Sequence, residues 1–192
     1  MTHTAIFSGS FNPIHTGHLL LANYIVEHLP VDECWFVLSP SNPLKNRVEL
    51  LDDKSRFEML QLAVEDYPKF VACDIELSMP TPSYTIRTLE LLRERYPERK
   101  FTLIIGADNW QHFEYWLEYR RILEEFSVWI YPRLPYTLLY DKMKGNARII
   151  DAPVFDISST GLRKAIAEGK DLKAFFPEKV YDYIRRNKLY GF

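Results

Sequence analysis

The residues with the most evident chemistry lie near the start of the chain, in Ser8-Gly9-Ser10-Phe11-Asn12-Pro13-Ile14-His15-Thr16-Gly17-His18. His15 and His18 are spaced to share one face of a helix's first turn. The apolar run before them, Thr4-Ala5-Ile6-Phe7, predicts a buried strand, and Leu19-Leu20-Leu21-Ala22 after them predicts a helix. A strand, a tight glycine turn and a helix start aim free backbone N–H groups, glycine backbone and two imidazoles at one point. That point suits a phosphate. A cationic imidazole is disfavoured at a helix N-terminus unless an anion lies nearby, which argues against a simple core pair. Gly9 and Gly17 are expected where the backbone approaches something closely.

A second candidate is Ile157-Ser158-Ser159-Thr160-Gly161-Leu162-Arg163, which follows an apolar run and opens another helix. Helix capping alone is the modest explanation, because Ser and Thr are strong N-caps. Capping needs one hydroxyl, however, and here three precede an arginine one turn in. Such a set makes a polyphosphate cradle. Between the two segments, Pro82-Ser83-Tyr84-Thr85 predicts a turn feeding a helix, with Ser83 or Thr85 as cap. Ile104-Ile105-Gly106-Ala107-Asp108 predicts a strand end followed by a carboxylate. Asp108 either accepts hydrogen bonds from ribose hydroxyls or caps the next helix. Phe113-Glu114-Tyr115-Trp116 and Tyr131-Pro132-Arg133 add aromatic and cationic candidates. No Ser–His–Asp set or cysteine nucleophile stands out. His15 and His18 have no third ligand nearby in sequence, so no protein-held metal is expected.

The elements that must position these residues alternate. Strands are expected at 4–8, 34–39, 70–76, 101–106, 127–131 and 147–151, and helices at 17–29, 53–66, 84–96, 115–124, 160–168 and 177–187. Near-continuous apolar strands between amphipathic helices predict an α/β, Rossmann-like, doubly wound parallel sheet with helices on both faces, a single domain over 1–192. Ligands of such sheets bind beyond the strand C-termini, where all the candidate motifs fall. The polar, Pro-rich loop after the second strand, with Asn42 and Lys45, is of the kind that carries ligand contacts and moves.

Composition narrows the classes. The 192 residues are 47% hydrophobic and carry a formal net charge of −2, so no global positive field points to nucleic acid. Cys34 and Cys73 are isolated, as expected of a protein in a reducing cytoplasm. No signal-peptide pattern and no apolar run of membrane-spanning length is present.

The stretch Gly9-Ser10-Phe11-x-Pro13-x-His15-x-Gly17-His18 resembles the G-x-F-x-P-x-H-x-G-H signature of the nucleotidyltransferase superfamily, in which the two histidines meet the triphosphate of ATP. The segment Ile157-Ser158-Ser159-Thr160-x-x-Arg163 resembles the I-S-S-T-x-x-R signature that closes the same ATP site. More narrowly, Pro82-Ser83-Tyr84-Thr85, Ile105-Gly106-x-Asp108, Phe113-x-x-Trp116 and Arg133-x-x-Tyr136 together resemble bacterial nicotinate-nucleotide adenylyltransferases, over nearly the whole chain.

The resemblance implies transfer of AMP from ATP to nicotinate mononucleotide, giving deamido-NAD and pyrophosphate in NAD biosynthesis. It implies direct in-line attack without a covalent intermediate, with Mg²⁺ held mainly by ATP phosphates and water. His15, His18 and Arg163 would be catalytic. ATP would be held by Gly9, Ser10, Phe11, Gly17, Gly106, Asp108, Ile157, Ser158, Ser159, Thr160 and Arg163. The pyridine nucleotide would meet Ser10, Asn42, Lys45, Tyr84, Thr85, Trp116 and Arg133, with Trp116 stacking on the ring; core packing is the other reading of Trp116. A homo-oligomer is compatible with the family. Three places depart from the family pattern: Ser8 stands for a common glycine, Asn12 for a frequent aspartate, and Asn42-Pro43-Leu44-Lys45 for a Pro-Pro-His-Lys-like run. Alternatives are an adenylyltransferase for nicotinamide mononucleotide or phosphopantetheine, or a non-catalytic nucleotide-binding regulator.

Overall fold

The structure is a computed structural model, and it describes residues 1–40, 50–136, 138 and 145–192. Six strands form one sheet: β1 (Thr2–Gly9), β2 (Glu33–Leu38), β3 (Phe70–Cys73), β4 (Arg99–Gly106), β5 (Ser127–Tyr131) and β6 (Ala147–Ile149). Their order is β3-β2-β1-β4-β5-β6, and every pairing is parallel. The chain therefore runs outward from β1 in one direction and then resumes beside it at β4. The seam between β1 and β4 is the topological switch point, where a crevice opens past the strand C-termini.

The period-2 geometry of a strand explains the two cores. Ala5 and Phe7 of β1, Cys34, Phe36 and Leu38 of β2, Ile104 of β4 and Trp129 of β5 face one side. There they pack on helices α1 (Thr16–His28), α2 (Asp53–Val64), α6 (Ser159–Ala167) and α7 (Glu178–Arg186). Ile6, Trp35, Val37, Leu103, Ile105, Val128 and Ile130 face the other side. They pack on α3 (Thr85–Arg95) and α5 (Tyr119–Glu125). No helix of the described residues is long and apolar enough to cross a membrane.

Two expectations need correction, and one element is added. The strand expected over 70–76 ends at Cys73, and Ile75–Ser78 form a 3₁₀ turn that brings Ile75 and Glu76 inward. The helix expected over 115–124 begins only at Tyr119, after a 3₁₀ turn at Phe113–Tyr115 and a left-handed Glu118 with φ 52°. A short helix, α4 (Ala107–Gln111), follows β4 directly and was not anticipated.

Candidate active site

β1 delivers the chain to the switch point, and α1 carries it away. In between, Phe11 takes a left-handed φ of 39°, a costly conformation for a bulky residue. The ring it buries offsets that cost. It packs on Phe7, Phe36 and the edge of His18, at centroid distances of 5.9, 5.8 and 5.2 Å. A Cβ at Gly9 would lie 3.2 Å from this ring, so the close approach expected of Gly9 is to Phe11 itself.

His15 is the N-cap residue of α1, and its imidazole stacks on that of His18 with centroids 3.7 Å apart. A Cβ at Gly17 would come within 3.1 Å of the His15 ring and 3.3 Å of Ile157 Cβ. His18 Nδ1 accepts the His15 backbone N–H at 3.2 Å, so the proton of the neutral His18 ring lies on Nε2. Burial, with the nearby Arg133 guanidinium second, pushes the His15 pKa down to about 3. His15 is therefore neutral near pH 7, and its Nδ1 is buried without a hydrogen-bond partner.

The start of α6 closes over this turn, and its three hydroxyls have three uses. Ser158 caps the helix, accepting the Gly161 N–H at 3.2 Å. Ser159 Oγ donates to the Pro13 carbonyl at 2.9 Å. Thr160 lines the cavity alongside Arg163, whose Nη1 also donates to the Asn12 carbonyl at 2.8 Å. Capping and cradle are thus both present.

The cavity so enclosed measures about 490 Å³, a size suited to a nucleotide. His15 and His18, with Ser158, Ser159, Thr160 and Arg163 opposite, line it, as do Gly9, Ser10, Phe11, Gly106 and Asp108. Asp108 does not cap α4. Its Oδ2 accepts from Arg133 Nη1 at 3.0 Å, and its Oδ1 is buried with no partner. Buried polar atoms are almost always satisfied, so two orphans at one cavity mark a place where a polar ligand completes the bonding. Arg133, expected with the pyridine nucleotide, lines this larger cavity. Gly17 and Ile157, expected at ATP, line a recess of about 40 Å³ behind the imidazoles.

A smaller cavity of about 140 Å³ adjoins the first along Ser8, Gly9, Ser10, Ile105 and Asn109. Tyr84, Thr85 and Trp116 line it. Trp116 is half-buried: its ring leans on Phe113 at 5.0 Å while the residue also walls the cavity, so packing and ligand contact are compatible. Tyr84 is the N-cap residue of α3, and neither Ser83 nor Thr85 caps it, contrary to expectation. Arg87 and Arg121 both bond Glu118, at 3.2 and 2.7 Å, bracing the loop after Trp116 against α3. Asn42 and Lys45 lie outside the described residues.

Two buried charges escaped the sequence reading. Arg56 is fully buried, and its guanidinium donates to the carbonyls of Ser10 (2.6 Å), Ser39 (2.9 Å), Leu51 (2.9 Å) and Pro40 (3.3 Å), while pairing with Asp53. It ties the ends of β1 and β2 to α2. Glu76 lies under the smaller cavity among hydroxyls. Arg56 acts largely through partners 16 to 46 positions away, and Glu76 through partners 7 and 12 positions on.

The cytidylyltransferase-like family profile matches residues 6–165. A Bacteroides fragilis protein named "Probable nicotinate-nucleotide adenylyltransferase" is 49% identical over 183 residues, covering 95% of this chain and 91% of its own length. The chain belongs to the nicotinate-nucleotide adenylyltransferase family. A Flavobacterium johnsoniae family member with the same name is 44% identical, covering 96% of this chain and 97% of its own. The fold is shared with Plasmodium falciparum nicotinic acid mononucleotide adenylyltransferase complexed with NaAD: the TM-score is 0.84 at 22% identity, over 100% of this chain and 98% of that one.

Proposed function

We propose that this protein transfers the adenylyl group of ATP to nicotinate mononucleotide, producing deamido-NAD and pyrophosphate. The observation that carries the reading is the pair of adjoining cavities meeting at Ser8-Gly9-Ser10. One presents imidazoles, hydroxyls and a guanidinium, and the other an indole beside a helix N-terminus. The first suits a triphosphate and the second an anionic aromatic ring. The β1–α1 turn between them is where the two reactive phosphates would meet.

The 5′-phosphate of a mononucleotide is already ionised at neutral pH, so its attack on the α-phosphorus needs no protein base. Positioning and charge stabilisation carry the chemistry. His18, with Nε2–H as donor, and neutral His15 would hydrogen-bond the α- and β-phosphate oxygens. Arg163, Ser159 and Thr160 would hold the departing pyrophosphate. Each charge-assisted hydrogen bond contributes about 1.5–3 kcal/mol. Asp108 would accept from the ribose, and Trp116 would stack on the pyridine ring.

Among the described residues, no group of three or more His, Cys, Asp or Glu converges as metal ligands, and the Asp108 carboxylate is paired with Arg133. Mg²⁺ therefore fits as an ion carried by phosphate oxygens and water, supplying charge neutralisation when bound. Pyrophosphate release from ATP, measured with nicotinate mononucleotide, nicotinamide mononucleotide and phosphopantetheine in turn, tests the proposal. Release should be fastest with nicotinate mononucleotide, and a faster reaction with either rival overturns it.

A further inference from the structure

Glu76 is the only acidic residue buried among the described residues, with 3% exposure, and it lines the smaller cavity. Ser83 Oγ donates to its Oε2 at 2.7 Å and Thr88 Oγ1 to its Oε1 at 2.9 Å. Ser8 and Ser39 line the same cavity beside it. The hydrogen-bond partners of Glu76 are hydroxyls rather than cations, and they come from the turn before α3 and the first turns of α3. Each carboxylate oxygen of Glu76 thus accepts one hydroxyl. Burial pushes its pKa up, and the hydroxyls pull it back.

This network bears on how α3 begins. The helix starts without a side-chain cap, although hydroxyls flank its first turn. Ser83 and Thr88 both direct theirs at Glu76. The N–H groups of Arg87 and Thr88 bond the Tyr84 carbonyl, at 2.9 and 3.2 Å, which leaves the very first N–H, at cavity-lining Thr85, for a ligand.

We propose that Glu76 is a positioning residue for the pyridine nucleotide. By engaging Ser83 and Thr88 it holds the start of α3 uncapped and aimed, so that the backbone there receives the anionic substituent of the ring. This rests on the assignment of the smaller cavity to the mononucleotide.

Steady-state kinetics and thermal melts of the wild type, Glu76→Gln and Thr88→Val test it, with nicotinate and nicotinamide mononucleotide each paired with ATP. An amide at position 76 must donate hydrogen as well as accept it, which turns at least one hydroxyl around. Glu76→Gln should raise KM for nicotinate mononucleotide by roughly tenfold and leave KM for ATP within about twofold. The preference for the acid over the amide substrate should shrink with it. Thr88→Val, close in shape, removes one donor and should raise the same KM by roughly threefold. Equal rises in both KM values overturn the proposal, as does a lowered Tm with unchanged KM. Should Glu76→Gln fail to fold, a wild-type KM in Thr88→Val overturns it equally. A wild-type protein that releases no pyrophosphate with nicotinate mononucleotide refutes the function itself, whereas an active wild type with unaltered variants refutes only the role of Glu76.

Discussion

The Arg163 guanidinium donates through Nη1 to the backbone carbonyl of Asn12 at 2.8 Å, across 151 positions of sequence. With Ser159 on the neighbouring Pro13 carbonyl, it makes the β1–α1 turn and the start of α6 one unit. The two segments that could grip a triphosphate are held to each other before any ligand arrives, and that preorganisation lowers the cost of binding.

His18 lines the larger cavity, and with Nδ1 engaged by the His15 N–H its ring donor is Nε2. Its replacement by alanine should lower kcat on the order of tenfold to a hundredfold while Tm falls by only a few degrees. Parallel kinetics and melting curves check this. Full turnover in a protein that melts much earlier would reassign the residue to packing.

For Trp116→Ala, KM for the pyridine mononucleotide should rise by about tenfold, the cost of one lost ring stack, with KM for ATP nearly unchanged. The indole also leans on Phe113, so a modest loss of stability is expected too. Were both substrates weakened alike, the stacking role would be wrong.

Arg56 binds four carbonyls from three segments with no solvent exposure. Arg56→Met leaves those acceptors buried and unpaired, and should cost about 3–5 kcal/mol in urea unfolding. Arg56→Lys should recover part of that loss. A methionine variant as stable as the wild type would show that the carbonyls find other donors.

His15 titrates near 6.5 in an unfolded chain and near 3 when folded, because burial disfavours the imidazolium. Between those values the unfolded chain binds a proton that the folded protein refuses, so His15 makes stability fall as pH falls through that window. In His15→Gln that contribution disappears. Unfolding free energies at pH 7.5 and pH 5 should show the variant losing less than the wild type on acidification, and equal losses would count against a buried neutral His15.

Much of this was legible before the structure. The apolar runs at 4–8 and 101–106 could only be buried strands, and their alternation with helical periods implied parallel pairing. The two segments proposed to hold phosphate were legible as candidates because each packs its donors into a few consecutive positions. What stayed hidden depends on partners in other elements of the fold. Arg56 looks like any charged helix residue, and only the arrival of Ser10 and Ser39 makes it internal. Phe70-Val71-Ala72-Cys73-Asp74-Ile75-Glu76 reads as one strand, because nothing local reveals that Glu76 turns inward toward Ser83 and Thr88. Ser83 was expected as a cap for the same reason: its competing acceptor is invisible at short range.

The Tyr190 phenol donates to the Asn12 side-chain oxygen at 2.9 Å, 178 positions back along the chain. Together with the Arg163 contact, this means a nascent polypeptide still on the ribosome carries both imidazoles without the parts that lock their turn. Catalytic competence should therefore appear as a step, once Arg163 and Tyr190 have emerged and docked, rather than as a gradual gain.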